Sequence, residues 1–231
     1  MRLVWLISIA CMVGALYCAA CNRIGGPPDI AKEYVRPKDV VDFEALYNEN
    51  CSACHGRNGQ NGPAYDLANP AYQAIVDDAS LKKWITSGMP GTEMPAFGES
   101  AGGFLTEKQV DALVAGIRSH WSKTSPGAVN APPYLASSRG DEKSGEQVYK
   151  TTCLSCHQKA NAQISDTSYL ALVSDQALRT ITIAGRPDLG HPDWQHDRPD
   201  QPLTNEEITN VVAYLASLRS GTPGQPYPNH P

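Results

Sequence analysis

Two five-residue stretches hold the chemistry-bearing residues of this chain: Cys51-Ser52-Ala53-Cys54-His55 and, far downstream, Cys153-Leu154-Ser155-Cys156-His157. Cys-x-x-Cys-His is the attachment signature of a c-type haem. Two cysteines at this spacing reach the two vinyl groups on one edge of the porphyrin and form thioether bonds. The histidine that follows then approaches the iron from one side. A single copy points to haem; two copies, each opening a similar run of sequence, imply two haems. Cys51, Cys54, Cys153 and Cys156 are then the covalent attachment points, and His55 and His157 the proximal iron ligands. A metal-bound imidazole usually gives its other ring N–H to a carbonyl, and the Pro63 carbonyl is the expected partner of His55.

The elements around the motifs follow a repeated plan. From Val40, apolar residues Val41, Phe43, Leu46 and Tyr47 fall on one helical face, and that helix delivers Cys51. Cysteines at i and i+3 share a side of a helical turn. A glycine- and asparagine-rich loop follows His55, then a helix is expected over Ala71 to Ile85. A proline-bearing loop runs from Gly88 to Phe97, and a closing amphipathic helix from Thr106 to about Trp121. Thr106-Glu107-Lys108-Gln109 has the form of a capping box. Residues 122–143 read as a linker rich in proline, serine and glycine. The plan then repeats over residues 144–219: Tyr149 stands four residues before Cys153 as Tyr47 does before Cys51. Ala177 to Ile183 corresponds to the middle helix, and Thr204 to Glu207 cap a last helix ending near Leu218. Residues 220–231 form a proline-rich tail.

The motifs near the start of each repeat, the Gly91-Thr92-Glu93-Met94-Pro95-Ala96-Phe97 loop, and the terminal helices Val110–Ser119 and Ile208–Ser217 together resemble the class I cytochrome c family. The resemblance occurs twice, over residues 40–121 and 144–219. It implies an all-α protein with two tandem cytochrome c-like domains, each wrapped around one covalent haem c. A bare chain of such domain size is marginal, and the haem supplies much of its apolar core.

The resemblance also directs attention to the distal ligands. Met89 and Met94 both precede proline in the first repeat, and the family's Gly-Thr-x-Met-Pro setting selects Met94, leaving Met89 to packing. The chain's four methionines are Met1, Met12, Met89 and Met94, so the second repeat has none. Laying Ile85–Phe97 over Thr182–Trp194 pairs Gly88 with Gly185, Pro90 with Pro187, Pro95 with Pro192 and Phe97 with Trp194. Met94 then falls opposite His191. His191 is the expected distal ligand of the second iron, with His196 as a rival and an open iron as a third alternative. A thioether opposite histidine raises the reduction potential relative to a second imidazole, so the first haem is expected to be the easier to reduce. His120 and His230 are expected to face solvent, and Tyr47, Tyr149, Trp84 and Trp194 to serve in packing.

Of the seven cysteines, four belong to the motifs and Cys11, Cys18 and Cys21 lie at the N-terminus, so none is available for a disulfide. Residues 1–20 have one arginine, an apolar run and a small-residue end, the outline of a secretory signal peptide. Cys18-Ala19-Ala20-Cys21 resembles a bacterial lipoprotein signal, which makes Cys21 the lipidation site, followed by a tether over residues 21–39. Plain cleavage after Ala20 and an uncleaved membrane anchor are the alternatives. Export suits haem attachment on the outer side of an energy-conserving membrane and implies a periplasmic address. The formal charge of −5 becomes −6 once Arg2, the one charged residue of 1–20, is removed. That sign argues against nucleic acid as a partner.

These readings describe a lipid-anchored dihaem cytochrome that relays single electrons in a periplasmic respiratory or photosynthetic chain, with redox proteins or subunits of a membrane complex as partners. It is expected not to be an enzyme, since both irons are six-coordinate and no nucleophile, acid–base pair or further metal is in view. The alternatives are a dihaem peroxidase-like enzyme and a haem-based sensor or binding module. Dihaem peroxidases are larger and generally carry the low-potential haem in the N-terminal half, the reverse of the order here. A thiosulfate dehydrogenase-like enzyme requires a cysteine ligand, for which no cysteine is free.

Overall fold

Regular structure among the described residues is helical, and β-type pairing there is limited to isolated bridges between Gly98 and Leu105 and between Arg186 and His191. The computed structural model describes residues 35–122, 130–158, 163–198 and 201–221. The expected signal peptide, Cys21, His230 and the end of the tail lie outside the described residues. The chain divides into the units Met1–Val40 and Val41–Pro231. Among the described residues of the first unit, a 3-10 turn spans Pro37–Asp39, and Arg36 Nε donates to Asp39 Oδ2 across 2.6 Å.

The second unit holds both repeats. In the first, α1 (Phe43–Asn50) starts at an Asp42 cap and buries Leu46 and Tyr47. Val41 lies ahead of this helix and is exposed, contrary to the expected apolar face, because the chain is still extended there. A short turn, α2 (Ser52–His55), carries the first motif. The helix expected over Ala71 to Ile85 is two helices, α3 (Pro70–Ile75) and α4 (Asp78–Ser87). Two caps cause the break: Asn69 accepts from the N–H groups of Ala71 and Tyr72, and Asp77 accepts from Ser80 N–H. Either side chain satisfies helix-end donors that would otherwise be bare. The closing helix α5 (Glu107–Trp121) begins at the expected capping box and packs against α1 and α4.

In the second repeat α6 (Glu142–Val148) runs into a wide π turn (Tyr149–Cys153) and then α7 (Leu154–His157), which carries the second motif. A short α8 (Thr167–Leu170) and α9 (Asp175–Ala184) follow. The last helix, α10 (Asn205–Ser217), has its own capping box from Thr204 and Glu207 and packs against α6 and α9. One core cluster joins Tyr149, Leu170, Leu178, Val211, Val212 and Leu215.

An arginine ties the corresponding corner of each repeat. Arg118 donates to the carbonyls of Gln73 and Val76 and pairs with Asp78. Arg219 donates to the carbonyls of Leu170 and Val173 and pairs with Asp175. The three targets in one repeat align with the three in the other, yet the two arginines do not align, so the same clamp is reached from within α5 in one repeat and from just past the end of α10 in the other.

The segment between the repeats is anchored at Pro132 and Tyr134, which are buried, while residues 135–139 are exposed. Tyr134 is 3% exposed, and the buried Arg179 of α9 donates to the carbonyls of Pro133 and Tyr134, to Thr209 Oγ1 and to Asn205 Oδ1. Tyr134 also stands edge-on to Tyr72 of α3, ring centres 6.2 Å apart. α3 packs directly against α9, so the two repeats share an interface.

Candidate haem sites

Each motif is presented at the end of a helix by a buried tyrosine one turn upstream. Tyr47 is 1% exposed, and its hydroxyl donates to the Gly56 carbonyl at 2.7 Å, closing the turn that follows His55. Gly56 has φ +74°, and a Cβ built there falls 1.9 Å from the Gln60 carbonyl oxygen, so the turn requires glycine. Tyr149 occupies the same place in the second repeat and is 4% exposed. Within each motif the first cysteine is half-buried and the second exposed, the same order in both copies. Burial, with the neighbouring Cys54 adding to it, pushes the Cys51 thiol up to about 12. Burial, reinforced by Asp197 and Cys156, does the same for Cys153.

His55 Nδ1 lies 2.8 Å from the Tyr65 carbonyl, where an N–H can donate and leave Nε2 directed elsewhere. The partner is Tyr65 and not Pro63, because the loop after the motif folds back through Ala64 N–H to the Cys54 carbonyl before Tyr65 arrives. Burial lowers the pKa of His55, which keeps the ring neutral, the form a metal accepts.

The distal loops share their opening turn and one backbone hydrogen bond at the positions that the sequence register pairs. Gly88 and Gly185 each end a helix at positive φ, +71° and +69°. Met89 N–H donates to the Met94 carbonyl at 3.1 Å, and the aligned Arg186 N–H donates to the His191 carbonyl at 3.1 Å. A Cβ at Gly88 would press on the Met94 carbonyl oxygen at 2.7 Å, and one at Gly185 on the His191 carbonyl oxygen at 2.8 Å. Met94 and His191 thus occupy equivalent backbone positions. Both Met94 and Met89 are half-buried.

His157 and His191 face one another with ring centres 5.9 Å apart and planes inclined by 39°. With metal–nitrogen bonds of about 2 Å and a ring centre roughly 1 Å behind each nitrogen, one iron between two imidazoles sets the centres about 6 Å apart. The pair therefore fits a haem iron. His191 Nδ1 lies 2.7 Å from the Pro192 carbonyl, so this ring too has one nitrogen occupied and the other available. Burial, partly offset by the hydrogen bond to the Pro192 carbonyl and reinforced by His157, lowers its pKa. His196 instead is exposed, with Nδ1 2.6 Å from Asp193 Oδ1. His120 is only half solvent-facing: its Nδ1 meets the Gly116 carbonyl at 2.8 Å and its ring lies 4.5 Å from that of Phe43.

Sequence reasoning missed three contributors: the Tyr65 carbonyl, the Tyr134 segment, and the ion pair of Arg186 with Asp188 on the loop of His191, at 2.9 and 2.6 Å. None lies in a motif; the first two gain their roles from chain folding back over a neighbour, and the third is local to the loop.

Paired attachment motifs on helical lobes, the first with its histidine oriented by the Tyr65 carbonyl, define a c-type cytochrome. The family model described as cytochrome c oxidase, cbb3-type, subunit III matches residues 38–115 and 140–215. The chain belongs to that family, and because each matched segment contains one Cys-x-x-Cys-His motif it is a dihaem protein with two haem c groups. It is similar to a cbb3-type cytochrome c oxidase subunit CcoP of Azospirillum sp. (strain B510), 28% identical over 194 residues that cover 77% of this chain and 56% of the relative. A CcoP of Azospirillum brasilense is 30% identical over 142 residues, 54% of this chain and 43% of the relative. The chain thus spans about half the length of the curated relatives it matches. A solved dihydro-haem d1 dehydrogenase NirN aligns with 31% identity over 41% of this chain and 18% of its own, with a TM-score of 0.29.

Proposed function

We propose that this protein relays single electrons through its two haems on the periplasmic side of a bacterial membrane, held there by a lipid on Cys21 and serving a cbb3-type oxidase complex. The reading rests on the 5.9 Å approach of His157 to His191. Two imidazoles on one iron leave no position for a substrate, which favours a carrier over a catalyst. When bound, the haem supplies reversible one-electron exchange between ferric and ferrous iron.

The chain's own residues hold and tune that group. Cys51 with Cys54, and Cys153 with Cys156, would hold the two haems covalently; His55 with Met94, and His157 with His191, would ligate their irons. A thioether at one iron and an imidazole at the other separate the two potentials, the first haem being the higher. Membership of the cbb3 subunit III family and the names of the two Azospirillum relatives support an oxidase complex as the partner.

The test is a potentiometric titration with low-temperature EPR on the full-length holoprotein and on His191→Ala. The expected result is two low-spin ferric signals at separated potentials, with the lower one lost in the variant. A high-spin ferric signal in the unaltered protein, or peroxide turnover after half-reduction, overturns the relay.

A further inference from the structure

Ten residues beyond His55, Tyr65 hydrogen-bonds to both repeats. Its carbonyl accepts from His55 Nδ1 at 2.8 Å, and its hydroxyl donates across the interface to the Gly185 carbonyl, also at 2.8 Å. Gly185 closes α9 and opens the loop of His191. That loop is tight: Arg186 N–H donates to the His191 carbonyl at 3.1 Å, and His191 N–H returns to the Arg186 carbonyl at 2.9 Å. A shift of Gly185 therefore moves His191.

The acceptors that Tyr65 and its neighbour reach are the carbonyls at the end of a helix, which have no partner within the helix itself. Asn69 Nδ2 donates to the Ala184 carbonyl at 2.9 Å and to the Tyr65 hydroxyl at 3.1 Å, while its Oδ1 caps α3. Arg186, paired with Asp188, sets its guanidinium 5.8 Å from the centre of the Tyr65 ring, and the side chains of that ion pair are 14% and 13% exposed. The first repeat thus supplies the donors that finish α9 in the second.

We propose that Tyr65 is a positioning residue that couples the two iron sites, its carbonyl fixing the His55 imidazole and its hydroxyl clamping the Gly185–Arg186 turn that carries His191. This rests on the reading of His55 and His191 as iron ligands. Its consequence is counter to sequence position: removing a hydroxyl from the first repeat alters the second haem. Tyr65→Phe keeps the backbone carbonyl and so leaves His55 held.

Tyr65→Phe, Asn69→Asp and His191→Ala are compared with the unaltered full-length holoprotein by potentiometric titration, low-temperature EPR and thermal melting. Asn69→Asp keeps the acceptor that caps α3 and removes the donor to Ala184, so it cuts the same clamp independently. In both clamp variants the expected result is a shifted midpoint and a shifted or broadened low-spin signal for the haem whose signal His191→Ala abolishes, with the other haem unchanged. Lowered melting with both haem signals unmoved, or a change confined to the first haem, overturns the coupling while leaving the electron-relay reading intact. Should His191→Ala leave both low-spin signals in place, the ligand assignment fails and the coupling falls with it.

Discussion

The ring of Phe43 on α1 lies against Gly116 on α5, so close that a Cβ built on the glycine would fall 1.9 Å from the ring carbon Cδ2. The second repeat makes the same helix crossing with the sizes exchanged. Gly145 of α6 stands where Phe43 stands, counting from the haem motif, and Tyr214 of α10 stands where Gly116 stands, counting from the capping box. A Cβ on Gly145 would fall 2.0 Å from the Asn210 carbonyl oxygen and 2.9 Å from Tyr214 Cβ. Each crossing thus pairs one glycine with one aromatic residue, and the helix that gives up its side chain alternates.

This contrast sets an order of sensitivity. At Gly116 the obstacle is the end of a side chain, which can rotate; at Gly145 it is backbone. Gly145→Ala should therefore cost more than Gly116→Ala, with about 1–3 kcal/mol the ordinary range for forcing an extra carbon into a packed site. Urea denaturation of both variants followed by far-ultraviolet circular dichroism gives the ranking, and an equal or reversed order would refute it.

Arg179 should matter for the segment that precedes Asp141. Its side chain donates to the Pro133 and Tyr134 carbonyls, the latter shared with Gln176 Nε2 at 3.0 Å, and the residue is 2% exposed. Arg179→Met retains bulk but removes both donors to the Pro133 carbonyl and one of the two to the Tyr134 carbonyl, a loss of about 1–3 kcal/mol. The expected outcome is a loss of stability in denaturant together with faster proteolytic cleavage around residues 130–140. Cleavage at the unaltered rate would mean that Tyr134 alone holds the segment.

The capping box of α10 predicts a pH dependence. Burial by itself would raise the pKa of Glu207, but hydrogen bonds from Arg198 and from Thr204 N–H overcome it and leave the carboxyl below its ordinary value. A depressed folded pKa contributes stability that is present above the unfolded value and is lost as pH falls through the folded one. The unaltered protein should therefore exceed Glu207→Gln in stability at pH 6, and the gap should shrink as the solution is acidified below the glutamate range. Denaturation curves at several pH values check the sign; a gap that widens on acidification refutes it.

The features legible in the sequence are those set by neighbours along the chain. Thr106 with Gln109 and Thr204 with Glu207 form the expected boxes because both partners lie within one turn. Met94 and His191 could be matched because glycines at positive φ and flanking prolines mark the same loop in both repeats. The Asn69-Pro70 and Asp77-Asp78 starts also carried local signals, but the continuous apolar pattern across Val76 concealed the break, and Val76 is buried as the end of one helix instead of the middle of a longer one. Tyr134 sits in proline-rich sequence whose composition suits a linker, and its burial depends on Arg179 forty-five residues later. The choice of Tyr65 over Pro63 is set by the path of the returning loop, which no local spacing fixes.

The exchange between Met94 and His191 yields the most direct test of why the copies differ. A thioether stabilises ferrous iron relative to a second imidazole, so axial identity alone moves the potential in a known direction. Because the two loops share the Met89–Met94 and Arg186–His191 backbone hydrogen bonds, each residue should be accepted in the other's frame. His191→Met should raise the midpoint potential of the second haem, and Met94→His should lower that of the first. The two changes together should exchange the order in which the haems are reduced. Potentiometric titration of the three variants reads this directly, with optical spectra distinguishing methionine from imidazole ligation. If His191→Met left the second haem's potential where it was, His191 would not be its axial ligand, and the 5.9 Å approach to His157 would need another explanation.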